Sequence, residues 1–143
     1  MALSDRFGAA RMASFGGEAG DSMTSLLNPG GAQGMDVLTI AWADFAAAVD
    51  LSGVALVKMD IEGAEFDVLP ALLPWLQAVR PALYLSTHAP FLPPETRASR
   101  MAALAQALDF YAECRDERGA VIGAGALSAA DSLDRFRSFL FSG

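Results

Sequence analysis

The sequence is poor in three residue types that often carry chemistry. It has one cysteine, one histidine and one lysine among 143 residues. The single cysteine, Cys114, excludes an internal disulfide and a cysteine-based zinc site, and free cysteines are usually buried. The single histidine, His88, excludes a zinc site with the usual number of histidine ligands. We therefore expect a chain of the reducing cytoplasm in which Cys114 is structural.

Positive charge and long apolar runs are also scarce. Lys and Arg number 10 against 17 Asp and Glu, so the net charge is -7. No basic stripe suits a nucleic acid, and the negative charge repels anionic membrane surfaces. The apolar stretches end well before the roughly 20 residues of a membrane helix, and the first residues do not resemble a signal peptide. We expect a cytoplasmic protein without nucleic-acid or membrane partners.

Hydrophobic residues make up 53% of the chain, which is enough for a sizeable core in one domain over residues 1–143. Glycines crowd the first part, so 1–35 is predicted to be loop-rich and 36–143 to form an α/β core. The glycines at 16, 17 and 20 suggest a dinucleotide loop. No strong strand precedes them and no clear helix follows, so a flexible loop is favoured.

The apolar pattern predicts strands that alternate with helices. A helix is expected along Phe66, Leu69, Leu73 and Leu76, and Pro70 is expected to divide it into two pieces. A further helix follows the apolar face of Met101, Leu104, Ala105 and Leu108, and a short one covers 43–49. Strands are expected over 9–15, 36–40, 54–59, 83–87, 111–116, 120–124 and 136–141.

This alternation predicts a three-layer α/β fold with a mostly parallel sheet. The continuous apolar run over 54–59 is typical of a central strand that is buried on both faces. The terminal strands should add an antiparallel edge. Ligands of such sheets bind at the carboxyl ends of the parallel strands, so the residues after 54–59 and 83–87 are the ones to inspect.

The first of these strand ends carries Lys58, Asp60, Glu62 and Glu65, and the second carries Ser86, Thr87 and His88. If the two strands are neighbours, these polar groups converge. Gly63 allows a tight turn between the first strand and the following helix. The serines lack the Gly-x-Ser-x-Gly elbow, which argues against a hydrolase triad.

Each of these residues has a structural and a functional interpretation. Lys58 is either held by a neighbouring carboxylate or catalytic, since a lone buried ammonium is very costly. Glu62 and Glu65 either stabilise a helix amino terminus or bind substrate. His88 is either satisfied by the backbone or a general base. Asp60 and Glu62 also have oxygen ligands that suit Mg²⁺, although our predicted site contains no metal.

The segment from Lys58 to Leu69, with the sequence KMDIEGAEFDVL, resembles the hallmark of the FkbM-type S-adenosylmethionine-dependent methyltransferases. The stretches 2–8, 39–45 and 83–88 are also similar to segments of that family. The resemblance implies a Rossmann-like class I methyltransferase fold, of which this chain corresponds to the carboxyl-terminal half. It places Asp60 and Glu62 on the methyl-acceptor side, and Ser4 and Asp5 near the adenine of the cofactor.

By this resemblance we expect O-methylation of a sugar or secondary-metabolite hydroxyl with S-adenosylmethionine as cofactor. Methylation of a hydroxyl needs a base, so we predict His88 as base, Asp60 as orienter and Lys58 as a further catalytic residue. Glu62 and Glu65 are predicted to bind the acceptor, a small molecule.

Two alternatives stay open at this point. The first is a non-catalytic remnant or subunit that binds a partner through a bare sheet edge at 54–59, either a second copy or a separate amino-terminal half. The second is a metal-dependent hydrolase that uses Asp60, Glu62 and His88.

Overall fold

The computed structural model of the chain describes residues 1–14, 24–25 and 34–143. The predicted loop around the glycines at 16, 17 and 20 lies outside the described residues. In chain order the strands are β1 Ala2–Ser4, β2 Gly8–Ser14, β3 Thr24–Ser25, β4 Gly34–Ala41, β5 Leu56–Met59, β6 Ala82–Thr87, β7 Glu113–Asp116, β8 Val121–Ile122 and β9 Arg137–Ser142. The α-helices are α1 Trp42–Ala48, α2 Glu65–Val79, α3 Pro94–Ala107 and α4 Ala130–Asp134, with 3-10 turns at Ala89–Phe91 and Ala124–Ser128.

The described strands form two sheets, so the chain is a mixed α/β protein. A four-stranded sheet has the order β1-β4-β2-β3, and a five-stranded sheet has the order β5-β6-β9-β7-β8. The strands predicted over 36–40, 54–59, 83–87 and 136–141 are all present, with ends that differ by one or two residues. The hairpin predicted from 111–116 and 120–124 is also confirmed as the antiparallel pair β7–β8.

The prediction of a mostly parallel sheet is wrong for the described strands. In the five-stranded sheet only β5 and β6 pair in parallel. The predicted antiparallel edge from the terminal strands is present, because β9, β7 and β8 form the antiparallel side of this sheet and β8 is its edge strand. Strand β9 itself lies between β6 and β7. The reason is packing, because Phe139 and Phe141 of β9 are fully buried in the middle of the sheet. Burial of such a side chain stabilises the folded state by about 1.5–3 kcal/mol.

Helices α2 and α3 cover the face of the sheet that holds the core. Leu83 and Leu85 of β6 lie beside the two phenylalanines of β9 and are fully buried. The core also includes residues of both helices and of the neighbouring strands: Met59, Phe66, Leu69, Leu72, Leu76, Met101, Leu104, Leu108 and Cys114. Cys114 is free, and burial raises the pKa of its thiol to about 11. Its predicted structural role is thus supported.

Helix α2 is one continuous helix, which corrects the prediction of two pieces. Pro70 and Pro74 both lie inside it and both are exposed. A proline in a helix interior removes a hydrogen bond, and here water can reach the face where the bonds are lost. Leu69 and Leu76 on the opposite face are fully buried. This packing holds the two halves of the helix together.

Strand β5 is an edge strand of its sheet, which corrects the prediction of burial on both faces. It pairs with β6, and no other described strand pairs with it. Leu56 is 57% exposed, and Lys58 is exposed as well, whereas Met59 is buried. The bare edge predicted at 54–59 is therefore present in the described part of the chain.

Candidate functional site

The carboxyl ends of β5 and β6 bring the predicted polar residues together. Because the two strands are parallel neighbours, the residues that follow them lie at the same edge of the sheet. Asp60 and Glu62 follow β5, and His88 follows β6. One ligand atom from each of these three side chains lies within 4.8 Å of the other two. We call these three residues the acid–histidine cluster.

A tight turn presents the two acids of the cluster. Glu62 has a φ of 53° and Gly63 a φ of 99°, so two successive residues are left-handed. The sequence predicted such freedom for Gly63, but a left-handed glutamate is uncommon and costs on the order of 1 kcal/mol. The turn leads into α2, which begins at Glu65. It thereby holds the Glu62 carboxylate near the carboxyl ends of β5 and β6.

Glu65 is fully buried, and its carboxylate is occupied by internal hydrogen bonds. Oε2 accepts a bond of 2.8 Å from the backbone N–H of Gly63, and Oε1 accepts one of 2.7 Å from the backbone N–H of His88. Oε1 also lies 3.2 Å from Nδ1 of the His88 ring. The prediction that Glu65 binds substrate is therefore corrected. Glu65 is a positioning residue that ties α2 to the end of β6.

The ring of His88 is 5% exposed and lies between the acids. Its Nε2 is 3.3 Å from Oε2 of Glu62 and 3.7 Å from Oδ1 of Asp60. Burial by itself lowers the pKa of His88. The hydrogen bond to Glu65 and the negative charges of Glu65, Glu62 and Asp60 outweigh this effect, so the pKa is raised above its usual value. The ring is thus a stronger base than an isolated histidine.

Two aromatic rings pack against the imidazole of His88, and the sequence did not lead us to predict either contact. Phe91 is stacked with the imidazole at a centroid distance of 5.7 Å, and Phe136 lies 5.2 Å from it. Phe136 is 51% exposed and directly precedes β9, whereas the sequence placed it inside the last strand. An aromatic residue next to a strand end was the available signal.

Lys58 lies beside the cluster rather than in it. Its Nζ contacts Oδ2 of Asp60 at 3.0 Å, and its side chain is 62% exposed. This geometry agrees with the interpretation that a carboxylate holds the lysine. An exposed pair of this kind contributes little to stability, about 0–1 kcal/mol. Its catalytic role stays a prediction.

The structure does not bring the predicted cofactor residues Ser4 and Asp5 to the cluster. Ser4 ends β1 and donates a hydrogen bond of 3.0 Å to the Asp5 carboxylate, and Ser4 is half-buried whereas Asp5 is exposed. Ser86 and Thr87 are the last two residues of β6, and their hydroxyls bond to the hydroxyl of Ser138 and to the carbonyl of Arg137. The hydroxyls of Ser86 and Thr87 are thus occupied, and the place of Ser4 and Asp5 near the adenine of the cofactor stays a prediction.

A cleft of about 940 Å³ opens beside the cluster, between the first sheet, α1, β5 and α2. Asp60 and Glu62 contribute its charged lining together with Lys58. Most of the other lining residues are apolar, among them Leu3, Trp42, Phe45, Val57, Met59, Val68, Leu72 and Trp75. Trp42 and Trp75 are the two tryptophans of the chain, and their ring centroids are 5.2 Å apart. A cleft with an apolar wall and a few charged groups is typical of a small-molecule site.

In the described part of the chain, no helix combines the length and the apolar character that crossing a membrane requires.

Comparison with known proteins gives one result. The profile of the methyltransferase FkbM domain matches residues 2–116, a segment that contains β5, β6, the acid–histidine cluster and the cleft. Searches among curated proteins and among solved structures find no match. Because the matched segment covers well over half of the chain, the chain belongs to the FkbM methyltransferase family.

Proposed function

We propose that the chain takes part in S-adenosylmethionine-dependent methylation of a hydroxyl group on a small molecule, such as a sugar or a secondary metabolite. The family match over residues 2–116 carries this proposal. We also propose a Rossmann-like arrangement for the five-stranded sheet. The support is that α2 connects the parallel strands β5 and β6 and that the cluster lies at their carboxyl ends.

The cleft suits the cofactor in size and in charge. Small-molecule sites usually measure about 300–1,000 Å³, and this cleft has about 940 Å³. Trp42 and Phe45 offer aromatic faces, and Asp60 and Glu62 offer negative charge for a cationic ligand. When it is bound, S-adenosylmethionine supplies an electrophilic methyl group on a positively charged sulfur. The two carboxylates complement this charge.

The chain's own contribution is to hold the acceptor hydroxyl and to take up its proton. Asp60 and Glu62 line the cleft and can orient a hydroxyl through hydrogen bonds. Proton uptake contributes typically 10²–10⁴-fold to a rate. The prediction of His88 as base fits its raised pKa, but the proposal requires only that the proton leaves through the acid–histidine cluster.

Transfer of a labelled methyl group tests the proposal. The tag-free chain is incubated with methyl-labelled S-adenosylmethionine and a panel of sugars and hydroxylated metabolites, and both the labelled product and S-adenosylhomocysteine are measured. Asp60→Asn should lower the rate at least 100-fold, while Asp44→Asn, which removes an exposed acid of α1, should leave it unchanged. If no acceptor is methylated, or if Asp60→Asn forms as much product as the wild type, the proposal is contradicted.

We also propose that the bare edge of β5 pairs with a strand from a second copy of the chain. Unpaired edge strands offer backbone donors and acceptors to a further strand, and charge at the edge opposes such pairing. Sedimentation equilibrium should therefore show self-association that Leu56→Lys abolishes. Val121→Lys, at an equally exposed valine of the opposite edge strand β8, is the control. A monomeric wild type at all concentrations refutes the pairing.

A further inference from the structure

The two ring nitrogens of His88 have different partners and therefore different roles. Both oxygens of the Glu65 carboxylate already accept hydrogen bonds from backbone N–H groups, so this group acts as an acceptor toward Nδ1. The proton of the neutral imidazole is therefore best placed on Nδ1. This leaves Nε2 with a free electron pair that is directed toward Glu62 and Asp60.

In the neutral ring this electron pair faces two carboxylates, and either a proton or a metal cation at that position relieves the repulsion. Histidine ligands of metal ions almost always donate their other ring N–H to a carboxylate or carbonyl, which fixes the ring and its tautomer. Glu65 provides this second contact from a fully buried position. We propose that Asp60, Glu62 and His88 bind a divalent transition-metal ion through Oδ1, Oε2 and Nε2.

The two distances from Nε2 to the carboxylate oxygens suit a common ion. With ligand bonds of about 2.1 Å, the Nε2-to-oxygen distances of 3.3 and 3.7 Å correspond to angles at the ion of about 105° and 125°. These angles lie on either side of the tetrahedral value. One nitrogen and two carboxylate oxygens suit Mn²⁺ or Zn²⁺ better than Ca²⁺, which takes 6–8 oxygen ligands.

The position of the ion gives it a role in the proposed reaction, and this part of the inference rests on the proposed function. Asp60 and Glu62 also line the cleft, so an ion held by them would lie beside the space for the acceptor. A bound cation would lower the pKa of a coordinated hydroxyl, and its proton would then leave through the cluster by way of the carboxylates. His88 acts as a ligand in this case. The favoured acceptors carry two neighbouring oxygens that chelate the ion.

The single histidine makes the site directly observable by NMR. The tag-free chain is titrated with Zn²⁺ and, separately, with Mn²⁺, without cofactor or acceptor, and the ring C–H signals of His88 are followed. One equivalent of Zn²⁺ should shift these signals, and substoichiometric Mn²⁺ should broaden them. Isothermal titration with Mn²⁺ should give one site per chain. Asp60→Asn and Glu62→Gln should each weaken binding at least 10-fold, whereas Asp44→Asn should not change it.

Three results overturn the metal site: no saturable binding at 1 mM metal, unchanged His88 signals despite binding, or equal affinity in Glu62→Gln and wild type. In each case binding of S-adenosylmethionine and methyl transfer can still be measured. Loss of the metal site is therefore distinguishable from loss of the proposed function. Both substituted acids are partly exposed, and a thermal melt of each variant shows that it is folded.

Discussion

Glu65 connects the start of α2 to the end of β6 through hydrogen bonds of 2.7 and 2.8 Å. Each such bond stabilises the fold by only about 0.5–1.5 kcal/mol, but a buried group that loses its partner costs about 1–3 kcal/mol. The sequence indicated an acid near the amino terminus of a helix, where acids are favourable. Its burial depends on contacts across 23 residues of chain, which a local pattern does not contain.

We predict that Glu65→Gln lowers the free energy of unfolding by about 1–3 kcal/mol. Glutamine keeps the size of the side chain, but its amide nitrogen donates and so faces a backbone N–H donor. Urea denaturation monitored by circular dichroism measures the effect. Glu95→Gln, at an exposed acid in the first turn of α3, should change the stability little. Equal stabilities of Glu65→Gln and wild type contradict the positioning role.

At the scale of elements, α2 and β5 show where local patterns fail. The spacing of Phe66, Leu69 and Leu76 correctly predicted a helix, because an apolar stripe repeats with the helical period. The same pattern does not show that packing of this stripe outweighs the loss of hydrogen bonds at Pro70. The apolar run of β5 likewise predicted a strand, but composition alone does not show which faces its neighbours cover.

The continuity of α2 leads to a prediction for its first internal proline. Pro70→Ala restores a backbone donor inside the helix and should stabilise the protein by about 1–3 kcal/mol, although greater freedom of the unfolded chain offsets part of this gain. The side chain is exposed, so no core contact is lost. Thermal unfolding measures the change. A lower melting temperature in Pro70→Ala than in the wild type contradicts the expectation that Pro70 costs stability.

For the molecule as a whole, the sequence predicted which residues meet at the site but not the cleft that lies beside them. Parallel pairing of two strands places Asp60 and His88 at one sheet edge, and the order of strands and helices was sufficient to expect this. The cleft depends on how the first sheet and α1 lie against β5 and α2. Strand β9 reaches the middle of its sheet from the far end of the chain. Such long-range placements are set by packing and have no local signature.

The cleft beside the acid–histidine cluster is our proposed site for S-adenosylmethionine, and two tryptophans of the chain can report on its occupation. Both tryptophans, Trp42 and Trp75, line the cleft, so their fluorescence reports on its occupant. Excitation at a wavelength that the adenine of the cofactor does not absorb avoids interference. A titration should give a saturable change in emission, which S-adenosylhomocysteine reproduces and Asp60→Asn weakens. Unchanged tryptophan emission up to millimolar cofactor would contradict binding of S-adenosylmethionine in this cleft.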